Sequence, residues 1–206
     1  MADSILDTTS GPVELRRSPL AATAAGVAEA GAGGGGVRLA ERPFTTMVGL
    51  RVVPGSTAAD AIGAVLGAPL PAGVGEVTGE GDHRTLWLGP DEWLVVSDGS
   101  REELLSRLRA AAEGPGVAIV DVSANRTVLE LEGPAARSVL DKGCPADLHP
   151  RAFGAGRAIT TTLARVPVLL WQTGEQTYRL LPRSSYAEYV AAWLLDAAQE
   201  FLEPVG

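Results

Sequence analysis

Apolar residues near the C-terminus recur at helical spacing. Tyr186, Tyr189, Val190, Trp193, Leu194, Ala197 and Phe201 follow i, i+3, i+4, i+7, i+8, which is the stripe of an amphipathic helix. Ser185 and Glu188 stand before it as a capping box. The same reasoning predicts three earlier helices. Thr57 with Asp60 caps a run carrying Ala58, Ile62, Val65 and Leu66, with Gly67 as the stop. Ser100 and Glu103 form a second box before Leu104, Leu105 and Leu108, and Gly114 closes that helix. Gly133-Pro134 supplies a cap and a first-turn proline before Ala136, Val139 and Leu140, with Gly143 as terminator.

Between these helices the pattern changes to alternating and β-branched runs. Strands are predicted at Thr45–Val53, Arg84–Leu88, Trp93–Ser97, Val117–Val122, Thr127–Glu132, Ala158–Leu163, Val166–Trp171 and Thr177–Leu181. Gly89-Pro90-Asp91-Glu92 and Thr173-Gly174-Glu175 carry turn chemistry between neighbouring strands.

The order of elements repeats. Leu86 to Val96 leads through a tight turn to the Ser100 helix, and Leu170 to Leu181 leads through another to the Ser185 helix. Upstream, Leu50–Gly55 with its helix matches Leu129–Pro134 with its own. The unit is β-α-β-β-α, present twice, and Val117–Val122 is available to close the first copy. The fold class is therefore α+β: two pseudo-repeated ferredoxin-like lobes, each an antiparallel sheet with helices on one face. The expected boundaries are an N-terminal arm over 1–42, a first lobe over 43–122 and a second over 123–206.

The arm is read from composition. Gly31-Ala32-Gly33-Gly34-Gly35-Gly36 lacks the flanking strand and helix that a phosphate loop needs, so a flexible tether is the better reading. Arg16-Arg17 resembles a twin-arginine signal, but Glu29 and glycines follow it instead of an apolar stretch. Without a basic leader or a run of 18 apolar residues, the chain is expected to be cytoplasmic, with no membrane partner.

Composition narrows the chemistry further. The 206 residues include 25 acidic and 17 basic side chains, for a net charge of −8, and every basic residue except Lys142 is arginine. An acidic chain without a Lys/Arg cluster is a poor nucleic-acid binder. One cysteine and two histidines exclude an internal disulfide and a Cys/His zinc site.

The reactive side chains read as structural. Cys144 lies five residues before His149, yet a small buried packing residue explains it better than a nucleophile pair. His83 and His149 sit in polar turns. Asp91-Glu92 occupies a hairpin turn, and Asp121-Val122-Ser123 with Asn125 suits side-chain-to-backbone turn bonds. Trp87, Trp93, Trp171 and Trp193 suit core or interface positions. No catalytic, cofactor-binding or metal-binding residue is assigned.

Several segments together resemble the gamma subunit of the bacterial heterotetrameric sarcosine oxidases. They are Arg16-Arg17-Ser18-Pro19-Leu20, Val48-Gly49-Leu50-Arg51, Leu88-Gly89-Pro90-Asp91-Glu92-Trp93-Leu94 and the ordered run from Asp121 to Phe153. Ser184-Ser185-Tyr186-Ala187-Glu188-Tyr189 completes the set. The resemblance implies a non-catalytic subunit of a flavoenzyme that demethylates sarcosine to glycine, with hydrogen peroxide and 5,10-methylenetetrahydrofolate or formaldehyde as products. It places FAD, FMN, NAD and zinc in the alpha, beta and delta subunits and packs this chain against alpha. On that basis Arg16, Arg17, Pro19 and Leu20 are expected to contact the partner.

The alternative is a stand-alone folate-binding aminomethyltransferase. Asp121-Val122-Ser123 and Gly133-Pro134 resemble that family's pattern. Its acidic pair has no counterpart in Thr162–Val168, its histidine is replaced by Ala124, and the Lys-Gly-Cys signature of a related family stops at Cys144.

Overall fold

A computed structural model describes residues 16–23 and 35–202; most of the expected tether, including Gly31–Gly34, lies outside the described residues. In chain order the elements begin with β1 (Arg38–Glu41), β2 (Thr46–Arg51), α1 (Thr57–Leu66), β3 (Val77–Thr78), β4 (His83–Gly89), β5 (Glu92–Ser97), α2 (Arg101–Ala111) and β6 (Ala118–Asp121). They continue with β7 (Leu129–Glu132), α3 (Ala136–Asp141), β8 (Arg157–Leu163), β9 (Val166–Gly174), β10 (Thr177–Pro182) and α4 (Ala187–Ala198). Short 3-10 turns at Ser184–Tyr186 and Gln199–Phe201 bracket α4.

Two antiparallel five-stranded sheets result, in the orders β3-β4-β5-β2-β6 and β8-β9-β10-β7-β1. Written this way the two correspond strand for strand. In the first, β6 closes the ferredoxin-like unit by pairing antiparallel with β2. In the second, the closing strand comes from the other end of the chain: β1 pairs with β7, Leu39 opposite Leu131. Residues 38–41, expected within the arm, are thus part of the second lobe. An unpaired β7 edge would expose a row of backbone donors and acceptors, and β1 satisfies them. Gly133 permits the close approach. Its φ is +128°, and a Cβ there would stand 2.5 Å from the Gly36 carbonyl oxygen.

Strand alternation explains the layering. Val48, Leu50, Trp93 and Val95 point toward α1 and α2, where they meet Ile62, Leu66, Leu104 and Leu108. Leu129, Leu131, Val168, Leu170, Tyr178 and Leu180 point toward α3 and α4, meeting Val139, Leu140, Val190 and Leu194. The alternate positions are also apolar: Met47, Leu86, Leu94 and Val96 of one sheet pack on Val128, Ala158, Leu169, Trp171 and Leu181 in the other. The molecule is therefore helix, sheet, sheet, helix. Strands buried on both faces read as continuous apolar runs, as Val166–Trp171 does.

The caps differ in detail from expectation. Ser56, extended at φ −80°, ψ 161°, accepts from the Ala59 N–H and is the N-cap of α1, so Thr57 is the first helical residue. Gly67 ends α1 in the left-handed region at φ 80°. Ser100 caps α2 by accepting from the Glu103 N–H, but that helix ends at Ala111 with Ala112 as its C-cap, before Gly114. Helix α3 starts at Ala136 with no side-chain cap, because the residue at the cap position, Ala135, carries no acceptor; the Gly133 and Ala135 N–H groups bond to the Gln176 and Gly36 carbonyls. Ser185 caps nothing: a 3-10 turn precedes α4, and the adjacent Ser184 bonds to the segment that joins the lobes, at Ala124 and Asn125.

Candidate functional site

The segment Asp121–Thr127 carries the chain from β6 of one lobe to β7 of the other, and its side chains tie the junction. Ser123 Oγ accepts from the Met47 N–H at 3.0 Å and donates to Asp121 Oδ1 at 2.6 Å. Asp121 Oδ1 also accepts from the Ser123 N–H at 3.0 Å, the turn bonding expected of this run. Asn125 uses its side-chain oxygen differently, accepting from Arg183 Nη1 at 2.7 Å. Ser184 Oγ donates to the Ala124 carbonyl at 2.7 Å, and Arg126 Nη1 donates to the Leu181 carbonyl at 2.8 Å. Thr127 Oγ1 donates to Glu41 Oε1, which also accepts from Ser18 Oγ. Residues 16–23 are held against the fold at this point.

Around this junction the two lobes and residues 16–19 enclose a cavity of about 340 Å³. Its floor is apolar, with Phe44, Met47 and Val128, and its wall carries Arg16, Arg17, Arg42, Arg101 and Arg126 with Asp121. Arg42 pairs with Asp98 at 3.4 Å and Glu130 at 3.7 Å. Arg101 pairs with Glu102 at 2.5 Å and Asp121 at 3.6 Å. Arg16 lies over the Phe44 ring, 5.3 Å from its centroid. Phe44 itself takes φ 59°, unusual for a residue with a side chain. Partial burial works to raise the Asp121 carboxyl, but the Ser123 hydrogen bonds and the Arg101 and Arg16 charges outweigh it and hold the pKa below the usual range. Burial lowers the Arg126 guanidinium from its ordinary value, and the Arg183 charge acts the same way.

The expected contact residues divide here. Arg16, Arg17 and Pro19 are exposed and line the cavity. Leu20 is not a surface residue: it is fully buried in this chain's own core, beside Val37 and Leu39. An apolar side chain docked on its own lobe is removed from water without any partner, so the partner-facing expectation for Leu20 is corrected.

Arg42, Arg101 and Arg126 were not singled out from sequence. Arg101 carries one local signal, since a cation in the first turn of a helix opposes the helix dipole and calls for another reason to be there. Arg42 and Arg126 carry none, because they meet only through the pairing of β1 and β2 with distant strands.

Other candidates are structural. Cys144 is buried in the second core with Thr161 Oγ1 at 3.8 Å, while the exposed His149 accepts through Nδ1 from the Arg151 N–H. Glu92 pairs with Arg51 at 3.0 Å. Trp93 donates to the Pro71 carbonyl at 2.8 Å, and Trp171 packs between the sheets under Arg179. His83 bonds Ser97 Oγ through Nδ1 at 2.9 Å, and its pKa is lowered by burial and then by Arg107. Among the described residues no group of three His, Cys, Asp or Glu side chains is placed to hold a metal, and no helix is long and apolar enough to cross a membrane.

Known proteins are similar to this chain in both sequence and fold. The chain is 53% identical over 202 residues to the sarcosine oxidase subunit gamma of Corynebacterium sp. (strain U-96), covering 97% of this chain and 96% of that one. Its fold matches a chain of the heterotetrameric sarcosine oxidase from Corynebacterium sp. U-96 with a TM-score of 0.86 and 52% identity, covering 93% of this chain and 100% of that one. A more distant likeness, TM-score 0.57 at 16% identity, is to glycine cleavage system aminomethyltransferase T from Bartonella henselae, of which 48% is covered by 84% of this chain; it shows a shared fold. The model of the sarcosine oxidase, gamma subunit family matches residues 53–200, and the chain belongs to that family.

Proposed function

We propose that this chain is the gamma subunit of a heterotetrameric sarcosine oxidase, a non-catalytic chain that supports assembly of the complex in the cytoplasm. The observation that carries this reading is the near-complete, 52%-identical structural match to one chain of such an enzyme. In this reading the complex demethylates sarcosine oxidatively to glycine. Its FAD, FMN, NAD and zinc sit in the other subunits, the alpha subunit is the direct partner, and beta and delta complete the assembly. Arg16, Arg17 and Pro19, exposed at the mouth of the junction, are the side chains of residues 16–20 that remain available to alpha.

The test is co-expression of the other three subunits with and without this chain, followed by size exclusion and oxygen-consumption assays. Loss of the full-size, active complex without this chain is expected. Active enzyme assembling equally well in its absence would overturn the proposal. The competing reading, a stand-alone folate-binding aminomethyltransferase, rests on the shared fold, and heat on titrating tetrahydrofolate into the full chain would favour it.

A further inference from the structure

Among the described residues, the charge in the junction cavity is not balanced. Arg42 and Arg101 have carboxylate partners. Asp121, the one carboxylate among the described residues of the cavity wall, is engaged by Ser123 and Arg101. Arg126 is half-buried; among the described residues its guanidinium donates one bond, from Nη1 to the Leu181 carbonyl, and meets no carboxylate. A cation withdrawn from water without an anion is costly, and the nearby Arg183 adds repulsion. The guanidinium is a planar fork whose remaining N–H groups match a carboxylate edge. Beside it the surface turns apolar through the exposed Phe44 ring, with the buried Met47 and Val128 behind the cavity wall. Phe44 is held at its left-handed backbone angle within a turn closed by the Thr45 Oγ1 bond to the Arg42 carbonyl, and Arg16 covers its ring. Backbone strain of this kind concentrates where a surface is shaped for a ligand. The volume, about 340 Å³, lies within the range of small-molecule pockets.

We propose that the cavity between the lobes binds a small organic carboxylate, with Arg126 taking the anion and the exposed Phe44 ring, backed by the buried Met47 and Val128, taking its apolar body. The proposal stands on this chain's own residues and does not depend on the subunit reading. Its failure would leave that reading intact, because one is scored by binding to the free chain and the other by assembly.

Calorimetry on the purified full chain tests it, with benzoate as the probe, benzamide as its neutral counterpart of similar shape, and inorganic phosphate as an anion without an apolar body. Benzoate is expected to bind at least about tenfold more tightly than either, the scale of one charge-assisted pair. Arg126→Gln is expected to abolish the preference for benzoate over benzamide. Should that variant fail to fold, since Arg126 also holds the Leu181 carbonyl, Arg16→Gln leaves that bond in place, removes the cation over Phe44 and is expected to weaken benzoate several-fold. No heat with benzoate, equal binding of benzoate and benzamide, or phosphate matching benzoate would each overturn the proposal.

Discussion

Gly143 lies between α3 and Cys144, where the Trp193 ring of α4 passes directly over the backbone. A Cβ at this position would stand 2.4 Å from Trp193 Cζ2 and 2.7 Å from Cη2. An indole ring fixed between helix and loop cannot swing aside as a lysine would, so Gly143→Ala is expected to cost about 1–3 kcal/mol by overpacking. Urea unfolding measures it. A helix stop accounts for a glycine at this position but not for the contact. His83 shows a second residue-scale effect. Its folded pKa is lowered from 6.5, so the unfolded chain binds the proton more readily than the folded one. Stability therefore falls as pH drops below about 6.5. In His83→Gln that contribution to the pH slope is expected to disappear, read from denaturation midpoints between neutral and mildly acid pH.

At the scale of elements, most of what the chain builds is visible in its periodicity. All four helices and all eight expected strands are present, because each carries its own apolar repeat and its own turn residues. The caps are where local reading slipped. Ser56 and Thr57 are both good caps by type, and the choice falls on Ser56 because its backbone is extended and its side chain accepts from the Ala59 N–H, while Thr57 is already helical. Ser56→Ala is expected to destabilise by about 1 kcal/mol and Thr57→Ala by clearly less, so thermal melts of the two variants separate the assignments. Ser184 and Ser185 show the opposite case. Ser185 and Glu188 satisfy a capping rule, but the neighbouring Ser184 is tied by its N–H and hydroxyl to the Asn125 and Ala124 carbonyls of the junction, and a 3-10 turn stands where the cap would be.

Across the whole molecule, the two lobes are not separate bodies joined by a linker. Met47, Leu86 and Leu94 share a buried layer with Leu169, Trp171 and Leu181, and β1 crosses from the start of the chain to the second sheet. Thermal unfolding is accordingly expected as one cooperative transition with matching calorimetric and van't Hoff enthalpies. Leu39→Ala, at a position 2% exposed on β1, is expected to lower the stability of that whole transition by about 2–5 kcal/mol. Two separated transitions, or a Leu39 variant as stable as the parent, would show that the lobes unfold independently.

The amino-acid sequence by itself determined the elements, their duplicated order and the α+β class. Those depend on spacing within a window of a dozen residues, which periodicity and turn chemistry report directly. Its matched segments also pointed to the family. Tertiary structure alone decided that Arg38–Glu41 closes the second sheet, that the two sheets stack, that Leu20 is core, and that Arg16, Arg42, Arg101 and Arg126 surround one cavity. Each of these brings together residues far apart in the chain, and an isolated arginine or a short apolar run looks the same on a surface, an edge or a cavity wall. What distinguishes them is the partner that the fold supplies.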